Sequence, residues 1–382
     1  MNNQKFEQVP LDEKYFPRTC EVLQEALTQG VSPGFGVGVW KASEPHLLWS
    51  LAKGNRRSVP SPQVMEGTTL FDLSSLTKVF ATAMLTAVLV ERGWLSWDTP
   101  VAAVLPHFRH SEIRVSHLLS HTAGFSNCSP FWERLREEFN SKTLFEIPVY
   151  RRQEAMKALV LAENPVSGPG EKILYSDISF LLLGFLLESV VQTPLDEAVQ
   201  RFVWNPMGIT GASFRRVNCS ASVGIDLNAA ATEECPWRGA VLQGQVHDDN
   251  CWAMGGYGGH AGAFGGVLDL AQFIRSIFGG FLSASVVEQM WRPISGTLLP
   301  SDGNFRTLGW DMPSPQGSSS GSLFSKRSVG HLGFTGTSLW IDPEARLGVI
   351  LLSNRVHPNR ENILIRKFRP KFHDAVRLDL AI

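Results

Sequence analysis

Residues 73–93 read LSSLTKVFATAMLTAVLVERG, with apolar residues recurring at a period near 3.6 until Gly93. That spacing predicts one buried helix, closed by a glycine where a left-handed residue is least strained. The run opens on Ser74-Ser75-Leu76-Thr77-Lys78. Residues three apart on a helix share a face, so the Lys78 ammonium can reach the Ser75 hydroxyl. Unpaired N–H groups at a helix N-terminus favour developing negative charge, which suits a nucleophile that transfers acyl groups. Ser74 lies four from Lys78 and reads more naturally as a cap.

Strand signals flank this helix on both sides. Gly34–Lys41 (GFGVGVWK) and residues 46–52 (HLLWSLA) are short apolar runs split by a turn, as in an antiparallel hairpin. Residues 328–332, Ser338–Asp342 and Leu347–Ser353 are closely spaced β-like runs near the other end. A helix is expected over 20–28, stopping at Gly30, and another from about Glu361, which Pro370 should end or kink. Residues from about 94 to 264 read mainly as helices and loops. The expected fold is α/β: an antiparallel sheet built from both chain ends with flanking helices, plus an inserted, mostly helical region. The sheet region is assigned to 1–79 and 265–382 and the helical region to 80–264, with the active site between them.

Composition narrows the function classes. The 382 residues carry 35 Lys and Arg against 36 Asp and Glu, in no long block of one sign, so nothing favours a nucleic-acid partner. The basic run 366–371 reads as a solvated helix face. The first residues, MNNQKFEQVPLDEKYF, lack a signal-peptide pattern, and the longest apolar runs fall short of the ~20 residues of a membrane span. A cytoplasmic enzyme is the expectation. The cysteines Cys20, Cys128, Cys219, Cys235 and Cys251 are irregularly spaced with no CxxC pair, which fits free thiols.

Two further segments carry chemistry. Tyr175-Ser176-Asp177 follows Gly168-Pro169-Gly170 and precedes an apolar helix. A phenol beside the nucleophile and its lysine can move a proton if a cation lowers its pKa from about 10. In His331-Leu332-Gly333-Phe334-Thr335-Gly336, a glycine within a strand lets a substrate approach closely, and the next N–H can point at an oxyanion.

The three elements in this order resemble the serine β-lactamase and penicillin-binding-protein superfamily, marked by S-x-x-K, then Y-x-N or S-x-N, then K-T-G. The spacing is similar to the class C β-lactamase and esterase-like branch: about a hundred residues separate the first two motifs, and the third lies about fifty from the end. FDLSSLTKVF, GWLSWDTPV, VSHLLSHTAGF, GEKILYSDISFLLLG, VHDDNCWAMGGYGGHAGAF and GHLGFTGTSLWIDPE also look like segments of that branch. The resemblance implies that Ser75 attacks a carbonyl, that Lys78 and Tyr175 move its proton, and that the N–H groups of Ser75 and Phe334 form the oxyanion hole. It implies no metal and no organic cofactor.

Two departures bear on substrate. Asp177 replaces the amide of the second motif with a carboxylate, and His331-Leu332 replaces Lys-Thr. Both changes remove donors for an anionic substrate, so a neutral carboxylic ester is expected, with a β-lactam or a D-Ala-D-Ala peptide as the alternative. A catalytically silent ligand-binding relative is the reading from another class, against which the joint presence of Ser75, Lys78 and Tyr175 argues.

Other patterns read as coincidence. Gly317-Ser318-Ser319-Ser320-Gly321 matches G-x-S-x-G inside the loop PSPQGSSSGS, which composition makes flexible and exposed. His117 and His121 sit four apart without a metalloprotease pattern, and the glycines of 255–266 read as a tight loop around His260 rather than a phosphate cradle.

Overall fold

The computed structural model describes residues 5–217, 226–294, 303 and 305–381. Cys219 lies outside the described residues.

The central sheet takes its strands from both ends of the chain. They are β1 (Glu7–Pro10), β2 (Gly34–Lys41), β3 (Leu47–Arg57), β4 (Val329–Leu332), β5 (Ser338–Asp342) and β6 (Leu347–Ser353). Their order across the sheet is β1-β3-β2-β6-β5-β4, and a short strand, Gln63–Val64, pairs with the far end of β3. Every pairing is antiparallel except β1 with β3, which is parallel and departs from the expected uniform pattern. The EQVP run has neither alternation nor β-branched density to announce it.

The period of two places alternate residues of β2 and β6 on opposite faces. Phe35, Val37, Val39, Leu347, Val349 and Leu351 meet the helices Pro17–Thr28 and Ile365–Asp379 in one cluster. Each such side chain, fully buried, contributes about 1.5–3 kcal/mol. On the other face lies the helix Val267–Phe278, brought in close by glycines: a Cβ on Gly38 would stand 2.5 Å from Val267, and one on Gly348 2.6 Å from Ile274.

Pro17 starts the opening helix, where its fixed φ and missing N–H cost nothing, so the helix begins three residues before the expected position. The terminal helix begins at Ile365 rather than near Glu361 and runs through Pro370 to Asp379, so the proline does not end it.

The decisive run 73–93 is buried as expected but is not one regular helix. It opens with a 3₁₀ turn, Ser74–Leu76, continues as a π-helical turn, Lys78–Ala83, and becomes α-helical only over Met84–Glu91. Such π segments are frequent at functional sites. Gly93 ends it at φ +70°. Apolar residues surround this segment on all sides because it runs through the core, packed against Asp177–Val191. Between residues 94 and 264 helices predominate, but a hairpin of Ala231–Cys235 with Ala240–Gln243 also occurs, as does a three-stranded sheet of Phe71–Asp72, Ala263–Gly265 and Ser213–Phe214.

The loop 313–322 is not the free surface segment its composition suggests. Ser318 and Ser320 are buried and in contact at 2.7 Å, and the Ser322 N–H donates to Asp374 of the terminal helix at 2.7 Å.

Candidate active site

Ser75 stands half-buried on the 3₁₀ turn, where Phe71–Asp72 pairs with Phe264 and Gly265 and delivers the chain into the core helix. The Lys78 Nζ donates to Ser75 Oγ at 3.0 Å, to Asp177 Oδ1 at 2.7 Å and to the His260 carbonyl at 3.1 Å. All three ammonium hydrogens therefore have acceptors although the side chain is fully buried. Burial alone would push the Lys78 pKa down, but the Asp177 charge and Tyr175 outweigh it and raise it above the ordinary lysine range.

Tyr175 precedes the helix Asp177–Val191, whose N-cap is Ser176, its hydroxyl accepting from the Ser179 N–H. The Tyr175 ring lies beside the ammonium, its centroid 5.1 Å from Lys78 Nζ, close enough for Lys78, Asp177 and Ser75 all to act on the phenol's titration. Burial raises its pKa, and Lys78 only partly offsets this. At neutral pH the site thus holds an ammonium, a neutral phenol and a hydroxyl in mutual contact.

His121 backs the phenol, its ring centroid 4.6 Å from that of Tyr175. Its Nδ1 accepts the Ser176 N–H at 3.0 Å, and burial holds its pKa well below 6.5. His117 uses its Nδ1 on the Arg114 N–H, so both candidate metal ligands have structural partners. The glycine loop 255–266 does form a tight turn, and its role is support. Thr82 binds the Gly259 carbonyl at 2.7 Å, and His260 pairs with Asp248 at 2.9 Å while offering its own carbonyl to Lys78. A carbonyl contact of this kind is independent of side-chain type, so residue patterns did not reveal it.

The strand β4 closes the other wall. His331 Nδ1 lies 2.8 Å from the Leu332 carbonyl, which can only accept, so Nδ1 carries the hydrogen and the buried Nε2 has no partner among the described residues. Burial, the largest cause, lowers the His331 pKa below 6.5, leaving a neutral imidazole. Gly333, expected within the strand, lies just past its end at Leu332 and brings the following turn against the nucleophile turn: a Cβ there would stand 2.0 Å from Thr337 Oγ1 and 2.7 Å from the Leu73 carbonyl. Thr335 and Thr337 stitch the same contact by donating to the carbonyls of Asp72 and Leu73.

Ser74 does not act as a cap. It adopts φ +49°, its N–H donates to Asp72 Oδ1 at 2.8 Å, and its Oγ accepts the Phe334 N–H at 3.1 Å. The N–H expected to face an oxyanion directly is therefore already bonded within the protein. The Phe334 ring is half-exposed, stacked on His247 and covered by Arg355.

Ser74, Ser75, Tyr175, Asp177, His331, Gly333 and Phe334 line one cleft of about 590 Å³, with Lys78 buried against Ser75. The loop serines 318–320 do not line it. Arg366 and Arg369 do, so the basic run is not simply a solvated face: Arg369 is buried and donates to the carbonyls of Gly333 and Thr337 at 2.7 and 2.8 Å.

The chain is similar to several known proteins. A family model described as Beta-lactamase matches residues 21–370. An Escherichia coli (strain K12) protein named "Putative D-alanyl-D-alanine carboxypeptidase" is 30% identical over 334 residues, covering 81% of this chain and 75% of that protein. Among solved structures, EstCE1, described as a hydrolase with promiscuous acyltransferase activity, aligns with TM-score 0.71 at 21% identity, covering 94% of this chain and 97% of that one. Unliganded simvastatin synthase (LovD) from Aspergillus terreus aligns with TM-score 0.69 at 20% identity, covering 94% and 97%.

Proposed function

The chain belongs to the β-lactamase family of serine hydrolases, and we propose that it hydrolyses carboxylic esters through an acyl-enzyme on Ser75. The observation carrying the nucleophile is the 3.0 Å contact of Lys78 Nζ with Ser75 Oγ, in a cluster the Tyr175 phenol completes. Ser75 Oγ bonds to the carbonyl carbon, and its proton passes into the Lys78–Tyr175 pair. The pair returns a proton to the departing alkoxide. Water then attacks the acyl-enzyme by the same route in reverse, releasing the acid and restoring Ser75.

The ester assignment rests on β4. A neutral His331 and an apolar Leu332 offer no fixed charge where the family's Lys-Thr would hold a carboxylate. A second reading, a D-Ala-D-Ala peptidase, is supported by the names of the curated relatives and by the far wall of the cleft. There Arg355, Arg366 and Arg369 line the cavity without a carboxylate ion-pair partner among the described residues. Burial and mutual repulsion lower Arg355 to about 10 and Arg369 to about 9.

Steady-state kinetics separate the two. Short neutral esters are expected to show kcat/KM at least ~10-fold above D-Ala-D-Ala peptides and penicillins, a difference of about 1.4 kcal/mol. A preference for the peptides, lost on Arg366→Ala, would replace the ester reading with the peptidase one.

A further inference from the structure

From the geometry around Ser74 we infer that its hydroxyl, rather than the bare Phe334 N–H, is the second donor of the oxyanion hole. This rests on Ser75 being the nucleophile. The immediate observation is the direction of one hydrogen bond: the Phe334 N–H donates to Ser74 Oγ at 3.1 Å. A hydroxyl that accepts through its oxygen still has its own hydrogen to give, and no described residue accepts it. Ser74 lines the cleft directly beside Ser75 and is 8% exposed, so the open cleft is the side on which a new acceptor can arrive.

The backbone supports the assignment. Ser74 holds φ +49°, a conformation that favours glycine and costs a serine of order 1 kcal/mol. Nothing in cap chemistry repays that cost, since the turn it starts has no side-chain cap. The strain is held by a clamp on each side of the residue. Asp72 Oδ1 takes the Ser74 N–H at 2.8 Å, while Asp72 Oδ2 accepts the His247 N–H at 2.6 Å. Thr335 and Thr337 fix the carbonyls of Asp72 and Leu73 to β4 and the turn that follows it. With both backbones locked, the Ser74 side chain occupies the gap between the nucleophile turn and Phe334.

In the addition step, Ser75 Oγ bonds to the carbonyl carbon and the C=O π electrons move to oxygen. That oxygen accepts from the Ser75 N–H and from Ser74 Oγ–H, whose oxygen keeps accepting from Phe334. An O–H polarised in this way through its own oxygen is a stronger donor than an isolated one. No proton leaves Ser74 at any stage.

Ser74→Ala and Ser74→Gly test the inference on an activated neutral ester. Losing one oxyanion donor costs about 10²–10³ in kcat, and the freed Phe334 N–H recovers part of it. The expected loss is therefore ~10- to 10²-fold in kcat, with KM within ~3-fold. Affinity for a boronic acid, which mimics the tetrahedral adduct, should weaken by a similar factor. Ser74→Gly relieves the left-handed strain, so its Tm should equal or exceed that of the parent while its kcat falls, a pairing a merely structural residue would not give. A kcat at or above the parent value in either variant overturns the inference and makes the hydroxyl a plug or a bystander. So does a loss that tracks Tm with boronate affinity unchanged. Ser75→Ala run in parallel keeps the two readings apart: if it still turns over ester, the nucleophile assignment fails, whatever Ser74 does.

Discussion

Asp177 puts a carboxylate 2.7 Å from Lys78 where the family motif carries an amide, and this changes which protons are available. Burial disfavours the ammonium, but the Asp177 charge and Tyr175 win, so the Lys78 pKa lies above its usual value. Burial raises Tyr175 as well. With both pKa values raised, the base form of the pair is scarce at pH 7 and grows as pH rises. The account therefore expects kcat/KM on a neutral ester to climb well into the alkaline range. Asp177→Asn removes the favourable charge, lowers the Lys78 pKa and should shift the rising limb toward lower pH by about one unit or more, each unit being about 1.4 kcal/mol. A pH–rate profile of both proteins checks this, and a limb that stays put or moves upward in Asp177→Asn rejects the proposed coupling. The Ser75–Lys78 pair was legible from spacing because both groups sit on one turn. Tyr175 and His331 were legible only through resemblance, since no local rule brings residues 100 and 256 positions away to Ser75.

Among the elements, the contact between the nucleophile turn and β4 governs the site. Two hydroxyl-to-carbonyl bonds and one absent Cβ hold it, with Arg369 tying the Gly333 and Thr337 carbonyls from behind. A methyl on Gly333 would overlap Thr337 Oγ1 and the Leu73 carbonyl, so Gly333→Ala must part the two elements. Overpacking of this kind costs about 1–3 kcal/mol in stability. Because a small displacement of an oxyanion donor is felt steeply, kcat should fall at least ~10-fold in protein that remains folded. Thermal melts beside kinetics test this; a fully active Gly333→Ala would mean the contact does not set the geometry. The same contact explains why the basic run 366–371 was misread. A helical arginine looks solvated unless one knows that two carbonyls of the turn between β4 and β5 lie over it, and that depends on the tertiary fold.

At the scale of the whole molecule, the fold class was the most legible feature, because Gly34–Lys41, Ser338–Asp342 and Leu347–Ser353 are short, largely apolar runs bounded by turn residues, as strands buried on both faces must be. The parallel β1, the 3₁₀ and π turns around Ser75 and the pinned loop 313–322 were not. Each is set by partners distant in sequence rather than by local propensity. What the architecture accomplishes is convergence: the core helix brings Ser75 with Lys78 buried behind it, the inserted region brings Tyr175 and Asp177, and β4 with the turn after it brings His331 and Gly333 to one cleft. The measurement that bears most directly on the central claim is intact mass after incubation with a fluorophosphonate, followed by peptide mapping. The account predicts one adduct per chain, located on Ser75, absent in Ser75→Ala and retained in Ser319→Ala. An adduct on any other residue, or undiminished labelling of Ser75→Ala, would contradict it.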